Sequence, residues 1–328
     1  MKNNLPVSII ITTHNRLKLF ERAFKSVIDE KTAYSGVLEI IIVDDCSVES
    51  VSLSIKELTL STKNLKLYQN KKNKGLAFSR NLGIKHASSE LIVFLDDDDF
   101  LLPNSISTRV SAFQSLKENN TIIHAGWCFD HIGYNRRTIN RKNIVDGPIR
   151  EFIISDWLET HSGSVLYTKH ILKLINGFDE SIKSSVDHDI WFKMADYGLN
   201  AKFINKPVVV SEIYNSRTSM VNNTRRRVSG IDGFIKKWEK IMPTWIGMEK
   251  TKYFFIKYRR NVFIPLLLNK IFSLKFGDSI YIFKYLSKNH SFFKISAILF
   301  LNFFKHLVWL LIPKKAIDLI RKINNLKK

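Results

Sequence analysis

Three times in its first hundred residues this chain runs a block of large apolar residues straight into polar or acidic ones. Val7-Ser-Ile-Ile-Ile11 leads into Thr12-Thr-His-Asn-Arg16. Leu38-Glu-Ile-Ile-Ile-Val43 leads into Asp44-Asp45. Leu91-Ile-Val-Phe-Leu95 leads into four consecutive aspartates, Asp96 to Asp99. Runs rich in β-branched residues suit a parallel sheet covered on both faces. Helical spacings lie between them: Leu17, Phe20, Ala23, Phe24, Val27 and Ile28 make one stripe and Val51, Ile55 and Leu58 another, and residues 75–87 also look helical. Leu65-Lys-Leu-Tyr68 adds a short strand. Alternating strand and helix predicts an α/β fold with right-handed crossovers. In such sheets ligands bind beyond the carboxyl ends of the strands. The three polar ends are therefore expected to converge on one cleft.

The aspartate tetrad bears most directly on chemistry. Like charges at the end of a buried strand repel, and a hard divalent cation such as Mg²⁺ or Mn²⁺ relieves that repulsion. Mg²⁺ commonly takes one or two carboxylates and completes its shell with substrate phosphates, so the run reads as a metal–diphosphate site. The alternative is a solvated acidic loop capping the next helix.

Further along, the spacing predicts a helix from Pro103 to about Lys117, a strand over 121–129, a mobile loop over 130–150, a strand over 164–167, and helices over 169–175 and 187–197. Strands at 202–204 and 208–210 close the domain. Ile190, Trp191 and Met194 are expected to face inward.

Charge divides the chain. Residues 1–224 carry 28 Lys and Arg against 25 Asp and Glu, a net of +3, while residues 225–328 carry 23 against 5, a net of +18. Of the 39 Phe, Tyr and Trp residues, 19 lie in that second part. A domain over 1–224 followed by a helical, basic, aromatic region over 225–328 is expected. Cys46 and Cys128 form no disulfide framework and fit a reducing cytoplasm, and the N-terminus reads as lacking a secretory leader.

Taken together, these motifs resemble the family 2 glycosyltransferases. Val7 to Arg16 resembles the family's opening strand and nucleotide loop, and Ile41-Ile-Val-Asp-Asp-Cys-Ser47 its second signature, with Cys46 where Gly or Asn is usual. Asn73-Lys-Gly-Leu-Ala-Phe-Ser-Arg-Asn-Leu-Gly83 resembles the Gly-to-Arg-Asn helix. Phe94 to Asp99 followed by Pro103 resembles the Asp-x-Asp region. Asn176-Gly-Phe-Asp-Glu180 and Asp187-His-Asp-Ile-Trp191 resemble two later signatures; in them Asn176 replaces a common Gly and Val186 a common Glu. The likeness covers roughly residues 5–215.

The resemblance implies a GT-A fold, a Rossmann-like mixed sheet with flanking helices. It implies a nucleoside-diphosphate sugar as donor, often a UDP-sugar, and a glycan or lipid-linked acceptor, as in cell-surface polysaccharide synthesis. Thr12, His14, Asn15 and Arg16 fall in the nucleotide loop, with Thr12 and His14 lining the uracil and ribose pocket. Asp45 is the base-reading acid; Asp44 either joins it or supports the loop. Gly75 opens the helix whose Arg80 is placed to reach the diphosphate. Asp98 is the implied metal ligand, for Mn²⁺ or Mg²⁺. Asp96 faces the ribose or the metal's water shell, Asp97 is ambiguous between these tasks, and Asp99 is a helix cap or a supporting group. Asp187 is the implied general base, with Asp189 the other candidate, and one displacement with one base implies inversion. His188 is read as an orienting or exposed residue, Trp191 as core, and His161 as lining the acceptor side. A nucleotidyltransferase or a non-catalytic nucleotide-binding scaffold are the competing classes.

The tail is expected to contact an anionic membrane surface from the cytoplasmic side, with Phe292–Ile312 lying in the interface plane or spanning it; a soluble helical bundle with a basic exterior is the alternative. Nucleic acid is not expected as a partner, since no recognised module accompanies the basic surface.

Overall fold

The computed structural model describes residues 5–49, 51, 63–116, 120–131, 136–140, 146–155, 161–213, 224–273 and 275–287. Two compact units emerge, residues 1–234 and residues 235–328.

In the first unit, β1 (Val7–Thr13), β2 (Leu38–Asp44), β3 (Leu65–Gln69) and β4 (Leu91–Asp96) form a parallel group in the order β3-β2-β1-β4. Every residue of β1 and β2 is buried. Their two-sided apolar character thus has its structural cause: helices cover both faces. On one face α1 (Leu17–Ala33) buries Phe20, Ala23, Phe24 and Val27 against Ile9, Ile11, Ile40, Ile42, Val93 and Leu95. On the other lies α2 (Leu76–His86). There Gly83 is required by packing, because a Cβ at that position would sit 2.4 Å from Ile10 Cγ2.

The sheet continues through antiparallel β9 (Val165–Thr168), β6 (Thr121–His131), β10 (Asn200–Ile213) and β5 (Asp99–Leu101), in the order β4-β9-β6-β10-β5. β6 and β10 run parallel, and β7 (Arg136–Asn140) and β8 (Gly147–Pro148) pair at the margins with β6 and β10. Among the described residues this unit also contains α3 (Ser105–Gln114), α4 (Ile149–Ser155), α5 (Lys169–Leu174) and α6 (Val186–Asp196). The buried Glu30 of α1 accepts the Ile106 N–H at 2.9 Å, placing a carboxylate at the N-terminus of α3.

Several expectations need correction. The segment 130–150 is not one loop: β6 runs to His131, β7 pairs with it, and β8 leads into α4. Residues 132–135 and 141–145 lie outside the described residues. Asn200–Ile213 is a single strand rather than two, with register shifts between Ile204 and Val209 where Pro207 offers no N–H. Asp99 begins a strand instead of a helix cap. The helix expected near residues 50–60 falls outside the described residues apart from Val51.

The second unit begins within α7 (Thr224–Ile241) and contains α8 (Pro243–Ile246), α9 (Met248–Phe272) and α10 (Phe276–Ser287). α10 folds back along α9, setting Phe263 and Tyr285 rings 4.8 Å apart and Lys270 Nζ 3.6 Å from Asp278. Among the described residues no helix is long and apolar enough to cross a membrane. Phe292–Ile312 lies outside them.

Candidate active site

The carboxyl ends of β1, β2 and β4 are adjacent, with Thr13 opposite Asp44 and Thr12 opposite Asp96. This register brings the three polar ends together. The nucleotide-loop residues act largely on one another. Thr12 is buried at the end of β1. Asn15, at φ 55°, takes a hydrogen bond from Val48 N–H on its side-chain oxygen and gives its own N–H to Ser47 Oγ, both at 2.8 Å. His14 is half-buried, with Nε2 3.1 Å from the Asn15 amide nitrogen.

Asp44 accepts from Ser47 N–H at 2.9 Å and from Gln69 Nε2 at 3.0 Å, contacts that tie the loop to β3. Between them Cys46 stands at φ 67°, left-handed backbone that Gly or Asn adopts most easily. Asp45 is almost fully buried; Oδ1 accepts from Asn70 Nδ2 and Lys74 N–H, and Oδ2 from Gly75 N–H, each at 2.8 Å. An ionised carboxylate offers about four lone-pair sites, so this arrangement leaves one for a ligand. Gly75, at φ 92°, is the N-cap of α2, and a Cβ there would meet nothing within 4 Å.

The aspartate tetrad is a set of distinct environments. Asp96 accepts from Arg80 Nη2 at 2.8 and 3.1 Å and, more loosely, from Ser162 Oγ at 3.4 Å, and burial, which would raise its pKa, is outweighed by the Arg80 cation, so the pKa is lowered. Asp97 accepts from Thr13 Oγ1 and Arg16 Nη1, both at 2.9 Å. Burial, reinforced by Asp98 and Asp96, pushes its pKa up to about 7 despite Arg16. Asp98 also meets Arg16 Nη1, at 2.7 Å, yet burial with Asp99 and Asp96 raises it to about 6. Asp99 pairs with His161 Nε2 at 3.2 Å, and this contact keeps the imidazole's pKa raised although burial opposes it. Arg22 reaches the Asp98 carbonyl at 3.1 Å and pairs with Glu212.

Arg80 has no exposed surface. Its Nη1 meets Asp187 Oδ1 at 2.7 Å, and its Nη2 meets Asp96 and, at 2.9 Å, Ser162 Oγ. Burial works against this charge, but Asp187 and Asp96 outweigh it and raise the pKa. The guanidinium carbon also lies 5.6 Å from the Phe94 ring and 5.1 Å from that of Phe178. The Nη groups of Arg80 are thus engaged by two carboxylates and a hydroxyl of the chain.

On α6 the two acids part company. Asp187 exposes 35% of its side chain, whereas Asp189 is buried. Two residues along a helix turn the side chain by about 200°, so only one can face the cleft. Trp191 is core, and half-buried His188 stands 6.2 Å from the Phe234 ring. Ser162 and Asn70 lie outside every motif, and Thr13 lies inside the opening one without an assigned role; each is a small polar residue that hydrogen-bonds an acid or cation of the site.

A divalent cation fits this donor set in one way. Among the described residues no three His, Cys, Asp or Glu side chains form a complete metal cage. The raised Asp97 and Asp98 carboxyls nonetheless mark negative charge that Arg16 does not fully balance. The latter also keeps 36% of its side chain open. Hard oxygens with an open side suit Mg²⁺ or Mn²⁺ completed by substrate phosphates.

The fold and this strand-end acid cluster define a GT-A glycosyltransferase. The sequence profile described as Glycosyl transferase family 2 matches residues 8–171, half of the chain, and the chain belongs to that family. The putative colanic acid biosynthesis glycosyl transferase WcaA of Escherichia coli K12 is 28% identical over 72% of this chain and 82% of its own length. Escherichia coli chondroitin synthase is 25% identical over 65% of this chain but only 30% of its own length. The chain likewise spans about 30% of several rickettsial glycosyltransferases it matches, one of them from Rickettsia conorii at 30% identity. Among solved structures, S. aureus TarS 1-349 in complex with UDP superposes with a TM-score of 0.53 at 16% identity, covering 87% of this chain and 90% of that one. GalNAc-T7 with UDP, GalNAc and Mn²⁺ gives 0.54 at 15% identity, covering 71% and 48%. At these identities the structures establish the fold.

Proposed function

We propose that the chain is a metal-dependent, inverting glycosyltransferase that moves a sugar from a nucleoside-diphosphate donor, a UDP-sugar in the first instance, to a glycan or lipid-linked acceptor of cell-surface polysaccharide. The observation carrying this reading is α2, whose N-terminus hydrogen-bonds the Asp45 carboxylate and whose Arg80, roughly 7 Å further along the axis, ties Asp96 to Asp187. One short helix thereby links the nucleotide side, the diphosphate side and the acceptor side. The names of WcaA and chondroitin synthase support the polysaccharide acceptor, and the UDP in complex with TarS supports the donor.

In this reading Asp45 accepts the N3–H of the uracil through its remaining lone pair, and Thr12 and His14 flank the base and ribose. Asp98, with Asp96 and Asp97 beside it, would hold Mn²⁺ or Mg²⁺. When bound, the cation supplies Lewis-acid neutralisation of the departing diphosphate. The open carboxylate oxygen of Asp187 takes the acceptor hydroxyl proton as the new oxygen–carbon bond forms and the bond from the anomeric carbon to the diphosphate oxygen breaks. Attack from the face opposite the leaving group inverts the anomeric centre.

The second unit would hold the enzyme at an anionic membrane surface. Exposed Tyr253, Ile256, Phe276 and Ile280 stand among Lys250, Lys252, Arg260 and Lys284, the mixture an interfacial helix uses.

The test is release of nucleoside diphosphate from a panel of UDP-, GDP- and dTDP-sugars with Mn²⁺. Release lost in both Asp98→Asn and Asp187→Asn supports the proposal. Pyrophosphate release would indicate nucleotidyl transfer, and nucleotide binding without turnover a scaffold.

A further inference from the structure

A cation with no exposed surface that satisfies two partly exposed carboxylates has a task beyond holding the fold. Arg80 draws its partners from three places: Asp96 at the end of β4, Ser162 in the turn before β9, and Asp187 in the first turn of α6. Ser162 Oγ lies 3.4 Å from Asp96 Oδ2, closing the set into a ring. Phe94 and Phe178 flank the guanidinium, and a rigid planar fork held this way points its N–H groups in fixed directions.

We propose that Arg80 is a positioning residue: it pins Asp187 by one oxygen, leaving the other toward the acceptor, and locks that orientation to Asp96 on the donor side. Resting on the reading of Asp187 as the base, this inference gives Arg80 a different task from direct diphosphate binding. Asp187 Oδ1 is taken by Arg80 at 2.7 Å, while no protein donor to Oδ2 occurs among the described residues. With 35% of its side chain open, that second oxygen is the one able to receive a proton from outside. The pin also prevents rotation about the carboxylate, and misplacement of a reacting group by about 1 Å can cost 10²-fold in rate. Lysine at position 80 would keep the charge as a single point and lose the fork.

The experiment compares wild type, Arg80→Lys, Asp187→Asn and the double variant in the full chain. The donor is the panel sugar nucleotide that wild type turns over fastest, and UDP affinity is measured by calorimetry in Mn²⁺. Arg80→Lys is expected to lower kcat by about 100-fold while donor KM and UDP Kd stay within about threefold. Adding it to Asp187→Asn should cost less than a further threefold, because Arg80 acts through a base already gone. A tenfold loss of UDP affinity with kcat retained would overturn the proposal and return Arg80 to the diphosphate; so would fully additive losses in the double variant. Should Arg80→Lys not fold, Ser162→Ala removes one acceptor of the same fork; a three- to tenfold fall in kcat at constant UDP Kd supports the ring, and wild-type kcat refutes it. Wild-type turnover in Asp187→Asn would instead refute the base assignment itself, an outcome separate from any Arg80 result.

Discussion

Replacing Asp97 with asparagine should stabilise the metal-free protein, although Asp97 lies in the centre of the site. Its side chain is only 7% exposed, and its pKa rises from 3.8 to about 7, chiefly through burial and then through Asp98 and Asp96. The folded value lies above the unfolded one, so the folded state binds the proton more tightly. This group therefore lowers stability progressively as pH climbs from about 4 to about 7, and its cost is constant above that window. A shift of about three pK units corresponds to roughly 4 kcal/mol at pH 8. Asparagine keeps an oxygen for Thr13 Oγ1 but introduces an amide that needs acceptors of its own, an offset of about 1–3 kcal/mol. The net expectation is a gain of about 2 kcal/mol at pH 8, or roughly 4–8 °C in the midpoint for a unit of this size. Thermal melts in EDTA at pH 8 and pH 5 provide the assay. On acidification to pH 5 that balance should move by about 3 kcal/mol, turning the gain of about 2 kcal/mol into a loss of about 1 kcal/mol, since wild type recovers most of its deficit once protonated. A variant that melts at or below wild type at pH 8, or an advantage independent of pH, would refute the account of crowded, undercompensated acids.

Other consequences follow from the same contacts. Gly83→Ala drives a methyl group to 2.4 Å from Ile10 Cγ2, and denaturant unfolding should reveal a loss of about 1–3 kcal/mol; an unchanged midpoint would contradict the close approach of α2 to β1. Asp98→Asn should weaken Mn²⁺ binding in the presence of UDP at least tenfold in an electron paramagnetic resonance titration of free Mn²⁺, and undiminished affinity would remove Asp98 from the ligand set. Replacing Tyr253 and Ile256 together with serine should reduce sedimentation with phosphatidylglycerol vesicles several-fold, with no effect on zwitterionic ones; equal recovery with anionic vesicles would rule out this face of α9 as the contact.

Where local chemistry dictates structure, the sequence was readable. The runs ending at Thr13, Asp44 and Asp96 formed adjacent parallel strands because their apolar residues need cover on both faces. Even the departures from the family pattern respect backbone geometry: Cys46 and Asn176 occupy left-handed conformations at φ 67° and 56°, where Gly is otherwise common. Ser185, at φ 64°, is a further left-handed turn residue, and no sequence signal marked it. β5 was hidden for another reason. A three-residue strand starting on an aspartate has no period to detect, and it forms because Asp99–Leu101 finds the edge of β10.

Arg80 marks the deeper limit. An arginine in the middle of a helix ordinarily belongs to the solvent, and the helix itself contains no acid that could neutralise it. Its charge partners lie 16 and 107 residues away. Only closure of the sheet through β9, followed by the turn into α6, brings the second carboxylate to the first. A lone buried guanidinium would be costly, and so would two carboxylates sharing a partly enclosed site without a cation. The three groups are tolerable only as a set, so Asp96, Asp187 and Arg80 should tolerate substitution poorly one at a time and be coupled when changed together. The motif residues could be recognised individually because each follows local chain chemistry, whereas their assembly depends on a balance of charge that exists only after folding.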